Sequence, residues 1–581
     1  MESTNLRPEH PRPDAVRDNW LSLNGEWDFE IDNALVGTEK HFEKRKNLEG
    51  KILVPFCPES RLSGVVHTDF MNGVWYRRDI EIPEAWQGKK VLLHIDACDY
   101  DTTVFVNGNQ VGSHKGGYTP FLFDIAPFLK RDGNYVTVFA KDDIGSAKQV
   151  SGKQSPRPES FGCFYTRTTG IWQSVWLEAV DDAYIERYEA ISDVANSIVI
   201  LSVETSEKAF GATLKATVYF NGREVGVGET DILGRKSSLA VKLSEKHLWE
   251  LGDGNLYDVV FEIVQNDEIK DSLKGYFGLR DVRLTRDGFY LNGRRVFGRF
   301  VLDQGFYPDG IYTAPSDEAL IFDIEASIKL GFNGARLHQK VFEPRFLYHA
   351  DRLGYMVFDE TGNWGLDHTD PMSIYNFLPE WIEEVKRDMS HPSVIGWCPF
   401  NETWDKNGRR QNNEFINMVF DVTRAIDPTR PIVTNSGSYP CRSDVYDVHD
   451  YEQDPVKFRE YYSHIGEGVV KCQIFRKQPD RIFYDPSKPI FVSEYGGIRW
   501  VDGNEDGWGY GVSVKTKEEF LERFEGLTDV LLDNKDIFAC CYTQLTDVEQ
   551  EQNGLLTYER DFKFPPQTIS SILSKKSVLE D

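Results

Sequence analysis

From residue 296 to residue 547, short β-rich runs alternate with helical patterns, and this alternation limits the fold more than any other feature of the chain. The candidate strands are 296–302 (VFGRFVL), 334–338 (GARLH), 356–360 (MVFDE), 394–402 (VIGWCPFNE), 432–437 (IVTNSG), 444–450 (DVYDVHD), 489–496 (PIFVSEYG) and 538–547 (FACCYTQLTD). Apolar runs of this kind are buried on both faces, the condition of strands in a parallel sheet. Helical patterns lie between most of them, as at 316–331, where Ser316 or Asp317 can cap and Gly331 can stop the helix. Eight such units within 281–581 match the strand count and size of a (β/α)8 TIM barrel. A doubly wound open sheet is the alternative, but no phosphate-binding glycine fingerprint is present.

The first 280 residues have a different period. Residues 1–180 carry short alternating segments broken by turns, with Asn107-Gly108 set between β-formers as a hairpin signal. That pattern predicts a β-sandwich of jelly-roll type. Residues 181–280 repeat it on a smaller scale, with a second hairpin signal at Asn221-Gly222, and predict an immunoglobulin-like β-sandwich acting as a spacer.

Charge and composition exclude several classes. A net charge of −27 repels nucleic acid and anionic membrane, so neither is expected as a partner. The first fourteen residues contain no apolar signal core, and nowhere do ~18 apolar residues run together as a membrane span requires, which predicts a cytoplasmic protein. The eight cysteines show no CxxC spacing, so neither a zinc site nor a disulfide framework is indicated. Thirteen Trp and twenty-six Tyr exceed what packing requires and hint at sugar stacking, although core filling is the commoner use.

Two of the barrel strands share one design, an apolar run that gives way abruptly to a polar residue and a glutamate near its C-terminal end: Glu402 on the fourth and Glu494 on the seventh. At the C-terminal ends of barrel strands both point into one mouth. A facing carboxylate pair, without a metal cage or nucleotide loop, is what hydrolysis of a glycosidic bond needs: one protonated donor and one ionised nucleophile. The residues before Glu402 are apolar (Trp397, Pro399, Phe400), and desolvation favours a protonated acid there. Glu494, between Ser493 and Tyr495, has the more polar setting expected of a nucleophile.

LNGEWDF at 23–29, VWYRR at 74–78, VFVNG at 104–108, TGIW at 169–172, LNGRRV at 291–296, and then ARLH, FDE, WCPFNETW and FVSEYG follow in an order that resembles glycoside hydrolase family 2, the family of β-galactosidases, β-glucuronidases and β-mannosidases. The resemblance spans nearly the whole chain. It implies that Glu402 is the acid/base, Glu494 the nucleophile and Asn401 the group that hydrogen-bonds the sugar 2-hydroxyl. It also implies retention of anomeric configuration and carboxyls about 5 Å apart.

Other strand ends carry substrate-binding candidates. Arg336 matches the family arginine that steadies the nucleophile, with His338 beside it; a structural salt bridge is the plainer alternative. His449 and Tyr451 end strand six, where the family places supporting groups. Asp303 after strand one is a candidate to grip a hydroxyl, Trp508 in the glycine-rich run 500–511 to wall a subsite, and Tyr542 on strand eight, with Asp547 and Asn553 after it, to select the sugar.

Departures from the family pattern narrow the substrate. Arg336-Leu337-His338-Gln339-Lys340 replaces R-x-S-H-Y-P, and Leu302-Asp303-Gln304-Gly305 replaces N/G-R-H-E. Asn553 is followed by Gly554 and Leu555 rather than by the lysine of the β-glucuronidase N-x-K, which weakens that activity. The loop after strand three lacks the magnesium ligands of some β-galactosidases, so no metal or other cofactor is implied. The leading expectation is an exo-acting retaining glycosidase on an oligosaccharide or other glycoside, with β-galactoside as default. An α-L-arabinofuranosidase or β-galactofuranosidase is the runner-up, and a non-catalytic carbohydrate-binding protein stands last because both carboxylates are present. Homo-oligomerisation stays open, since family members form dimers and tetramers.

Overall fold

The computed structural model describes residues 6–465, 481, 484–501 and 507–580. At the N-terminal end a six-stranded antiparallel sheet (order 50–54, 25–31, 73–80, 134–141, 101–106, 109–115) lies against a four-stranded one (20–22, 175–180, 90–95, 121–124). Their inward side chains, among them Trp27, Val74, Val104, Leu93 and Leu177, share one apolar core. The expected hairpin at Asn107-Gly108 is present, with φ of 53° and 79°. Two successive left-handed residues give a turn whose twist matches the strands, which is why Asn-Gly serves there.

The next sandwich packs three strands (185–193, 198–205, 236–242) on four (223–231, 213–220, 257–265, 268–277). Val199, Leu201 and Val203 meet Leu214, Val218 and Phe261 between them. Asn221-Gly222 turns its hairpin as predicted, at φ of 49° and 74°.

The remainder is a curled parallel sheet wrapped by helices. Its strands are β1 (Gly298–Asp303), β2 (Gly334–Leu337), β3 (Met356–Glu360), β4 (Val394–Cys398), the two-residue β5 (Asn435–Ser436), β6 (Tyr446–Asp450), β7 (Ile490–Gly496) and β8 (Ile537–Thr543). Seven of them pair in the order β4-β3-β2-β1-β8-β7-β6. β5 spans the gap between β4 and β6, pairing with residues 400–401 beyond β4. Helices α1 (Asp317–Leu330), α2 (Pro344–Leu353), α3 (Ile374–Asp388), α4 (Asn413–Ile426), α5 (Pro455–Tyr462), α6 (Lys517–Leu532) and α7 (Pro566–Leu573) form the outer layer. Ser316 caps α1 by accepting from the Ala319 N–H, and Gly331 closes it at φ 100°.

Several strands differ from expectation for identifiable reasons. Pro399 has no N–H to give a ladder, so the fourth strand breaks after Cys398 and resumes at Phe400–Asn401. The fifth shrinks to Asn435–Ser436, because Asn435 bonds the Tyr439 carbonyl and the chain turns at Gly437, φ 65°. The first begins at Gly298; residues 294–296 belong instead to a small antiparallel meander with 282–285 and 288–291.

Side-chain parity decides what each strand end presents. On β1, Phe300 and Leu302 join the barrel-interior cluster with Phe358 and Phe491, while Val301 packs outward with the helices. No helix among the described residues is long and apolar enough to cross a membrane.

Candidate active site

Glu402, Glu494 and His449 meet at the mouth formed by β4, β6 and β7. One oxygen from each carboxylate and one ring nitrogen of His449 all lie within 4.8 Å of one another. His449 Nδ1 is 2.9 Å from Glu402 Oε1 and 3.4 Å from Glu494 Oε2, while its Nε2 is 2.8 Å from Ser436 Oγ. The ring lies against Gly437, where a Cβ would fall 2.0 Å from Nδ1, so only glycine leaves room for it. Burial disfavours the imidazolium, but Glu494 and Glu402 outweigh it and lift the His449 pKa above its ordinary value.

Glu494 is buried and heavily supported. Arg336 Nη1 donates to its Oε1 at 3.0 Å, and the Tyr451 hydroxyl donates to Oε2. Burial presses this carboxyl towards the neutral form; His449, then Arg336, more than reverse that, and the pKa falls to about 2. A carboxylate held ionised in a water-poor site is equipped to be a nucleophile.

Arg336 is fixed from several sides. Its Nε donates to Glu360 Oε2 at 2.7 Å, and its Nη2 to Asn401 Oδ1 at 2.6 Å. The latter bond turns the Asn401 carboxamide so that Nδ2 is the atom left for a ligand. Asn401's backbone is pinned as well: Asn363 Nδ2 and Trp364 Nε1 both donate to its carbonyl, and Asn363 Oδ1 accepts its N–H. His338 Nδ1 stands 3.0 Å from Glu360 Oε1, and burial, followed by the charge of Lys153, holds the ring neutral.

Glu402 is more open than its partner, its side chain 18% exposed. Its backbone is left-handed at φ 44°, an uncommon state for a non-glycine residue and one that clusters at functional sites. The apolar residues before it do not dry it as expected. Phe400 stacks on Phe377 and meets Phe415, and Trp397 turns to Trp381 and donates to Asp427, so both face the helices.

Two expected contacts are absent from the mouth. Asp303 has the outward parity of Val301; it accepts from the Gly305 N–H and shares its surroundings with Asp323, Arg560 and Lys340. Tyr542 likewise points outward against Tyr495 and Phe524, and the next residue, Thr543, faces in, with Oγ1 3.2 Å from the Tyr451 hydroxyl. Trp508 does reach the rim, where its indole N–H donates to the Gly162 carbonyl. Of the run 500–511 expected to form a wall, residues 502–506 lie outside the described residues. Tyr510 stacks on Tyr451 with centroids 3.4 Å apart.

Sequence reasoning missed the contribution of the N-terminal domain. Residues 142–169, a long connection rich in Gly, Pro and Ser, carry Lys153, Cys163 and Tyr165 to the barrel mouth. Its length was the available signal, because structureless loops beyond about 12–15 residues are usually functional. Glu360, the anchor of Arg336, was also missed as a site residue.

A buried ionised carboxylate beside a second, more open one is the kind of pair that hydrolysis of a glycosidic bond requires. Comparison with known proteins agrees. Residues 62–178 match the sugar binding domain of glycosyl hydrolases family 2, residues 183–280 a further model of glycosyl hydrolases family 2 and residues 282–507 its TIM barrel domain. The chain belongs to glycoside hydrolase family 2. It is 29% identical over 381 residues to a β-galactosidase of Thermoanaerobacter pseudethanolicus, a match covering 62% of this chain and 48% of that protein. The chain thus spans about half the length of that relative. It is 23% identical to a β-glucuronidase of Streptococcus agalactiae, with 94% of each covered. Among solved structures, β-glucuronidase from Ruminococcus gnavus in complex with D-glucuronic acid superposes with a TM-score of 0.78 at 19% identity, covering 98% of this chain and 100% of the other. Identity that low speaks for the fold alone.

Proposed function

We propose that the protein is an exo-acting, retaining β-glycosidase with a neutral β-galactoside-type glycone as its substrate. The observation that carries the retaining mechanism is the closeness of the carboxylates: one oxygen of Glu402 and one of Glu494 lie within 4.8 Å, nearer the close pair of a retaining enzyme than the open pair of an inverting one. Retaining enzymes place their carboxyls about 5–5.5 Å apart, whereas inverting ones leave roughly 6.5–9.5 Å for a water molecule.

In this reading Glu494 attacks the anomeric carbon while Glu402 protonates the leaving oxygen, and a glycosyl–Glu494 ester results. Glu402, now ionised, takes a proton from water as it attacks the ester, which restores both groups. His449, bonded to Glu402 and close to Glu494, positions the two carboxyls relative to each other. Arg336 and Tyr451 keep the nucleophile ionised and correctly turned, and the Asn401 amide is placed to donate to the 2-hydroxyl. Exo action is supported by the Trp508–Gly162 contact, which walls the mouth on the N-terminal-domain side.

A neutral glycone is favoured by the segment after β8. Leu555, at the place of the uronate-pairing lysine, is fully buried in the core, and the Gly554 N–H is taken by Asp547. The furanoside alternative finds no support in relatives named β-galactosidase and β-glucuronidase.

A panel of nitrophenyl glycosides, with the product anomer read by NMR, tests the reading. Fastest turnover of a neutral β-glycoside with retained configuration is expected. Inverted product would refute the mechanism, and no turnover on any member would refute the activity.

A further inference from the structure

Lys153 lies in the connection 142–169, and its backbone is fastened to the barrel on one side and to its own loop on the other. The Ser151 N–H donates to the Trp364 carbonyl at 2.7 Å and the Gly152 N–H to the Gly362 carbonyl at 3.1 Å. The Lys153 carbonyl in turn accepts from the Tyr165 N–H at 2.8 Å. At Gly152 a Cβ would come within 2.1 Å of the Gln339 carbonyl, at φ 53°, so this close approach requires glycine.

The side chain so placed is 6% exposed, and its Nζ stands 4.3 Å above the ring of Trp364, whose indole N–H holds the Asn401 carbonyl. Among the described residues the ammonium makes no hydrogen bond or ion pair. Burial alone would strip its proton, but Cys163, Glu551, Glu494 and Glu402 act in the opposite direction and keep it charged. A ring face answers its charge but none of its three donors, and Nζ keeps a little open surface at which an acceptor can reach them.

Glu551, 2% exposed, is tied to the same segment through Tyr165, whose N–H donates to the Lys153 carbonyl. The Tyr165 hydroxyl donates to its Oε2 at 2.6 Å, and Asn553 Nδ2 to its Oε1 at 3.0 Å. These bonds hold the carboxyl in place and still leave lone pairs, since a carboxylate offers about four acceptor positions. Lys153 and Glu551 feel each other's charge without touching.

We propose that Lys153 is a specificity-determining residue, delivered by the N-terminal domain, that donates to a hydroxyl of the glycone which in turn donates to Glu551. A hydroxyl satisfies both sides because it accepts and donates at once. A glycone carboxylate would meet one lysine but also Glu551, Glu494 and Glu402. The inference rests on the glycosidase reading and deepens it by naming what recognises the sugar.

The test takes the nitrophenyl β-glycoside on which the wild type is fastest, together with its 3-, 4- and 6-monodeoxy analogues and the corresponding uronide. Lys153→Met keeps the stem over Trp364 and should lower kcat/KM on the parent glycoside roughly 10- to 100-fold. On one deoxy analogue it should then perform as the wild type does, because the hydroxyl it would have met is gone. Glu551→Gln should show the same non-additivity with the same analogue, which covers the case of a Lys153→Met protein that does not fold. If both variants keep the full penalty on all three analogues, the proposal is overturned. It is equally overturned if Lys153→Met loses only uronide turnover, since the lysine would then read a carboxylate. Should the wild type turn over no glycoside at all, the glycosidase reading fails first, independently of Lys153.

Discussion

Replacing Arg336 by Gln separates the electrostatic role of this residue from its structural one. The guanidinium contributes one charge-assisted bond of 3.0 Å to Glu494 and one of 2.7 Å to Glu360. Such bonds are worth roughly 1.5–3 kcal/mol each. At about 1.4 kcal/mol per pKa unit, losing the one to Glu494 raises that carboxyl by roughly one to two units from about 2, to between about 3 and 4. A depressed carboxylate pKa contributes stability above its unfolded value that is lost as pH falls through the folded one, so the wild type loses this contribution only in strong acid. The wild-type kcat/KM profile should therefore stay flat on the acid side down to the pH at which the protein unfolds. The variant should show a true acid limb near pH 4 on a fast nitrophenyl substrate, measured in short assays on protein confirmed as folded by circular dichroism. Glu360, fully buried, keeps the Gln339 N–H and the nearby His338 ring but loses its arginine partner, which adds a stability loss on the order of 3–5 kcal/mol, visible as a lower Tm. A variant with reduced kcat but no shift of the acid limb would refute the claim that Arg336 sets the charge of the nucleophile.

Glu402→Gln should lower turnover of glycosides with poor leaving groups roughly 10²- to 10⁴-fold while largely sparing dinitrophenyl glycosides, whose departure needs no proton; equal loss on both would remove Glu402 from the acid role. Glu494→Ala should be inactive, and azide should restore turnover with a glycosyl azide of inverted configuration, read by NMR. Asp359 on β3 is fully buried beside Asp388 and Glu384, and burial, then Asp388, raise its pKa well above the ordinary value. A raised carboxyl costs stability as pH climbs above its unfolded value, so Asp359→Asn should raise Tm at pH 7 by about 1–2 °C, on the order of 1 kcal/mol, and gain less at pH 4, by calorimetry.

The strand alternation, the two Asn-Gly hairpins and the carboxylate pair were legible because each is a local signal. A period of two, a φ requirement and a strand-end position are all written within a few residues. What the sequence left open follows from parity and from chain-distant contacts. Asp303 and Tyr542 sit at strand ends, where position alone suggests a site, but a shift of one residue decides whether a side chain meets the ligand or a helix. Their neighbours Leu302 and Thr543 point inward instead. The same rule explains Trp397 and Phe400: they are apolar because they pack on α3 and α4, not because Glu402 needs a dry setting.

In place of a dry setting the structure gives Glu402 one orienting partner, His449, so sequence and geometry differ on what positions the same carboxylate. An acid raised by desolvation would act through its surroundings as a whole, tolerant of any single apolar substitution. An acid held by one imidazole, 2.9 Å away and also 3.4 Å from the nucleophile, depends on that one ring, on Ser436 behind it and on the bare Cα of Gly437 beneath it. The fifth strand, expected at 432–437 and reduced to Asn435–Ser436, therefore supports the carboxylate pair: its Ser436 carbonyl accepts the Glu402 N–H, its Ser436 hydroxyl meets His449 Nε2, and the glycine after it makes space for the ring. Gly437→Ala should consequently impair turnover more than stability, lowering kcat while leaving Tm within a few degrees. The converse pattern, a large loss of Tm with kcat per folded molecule unchanged, would mean that the His449 position does not govern the acid.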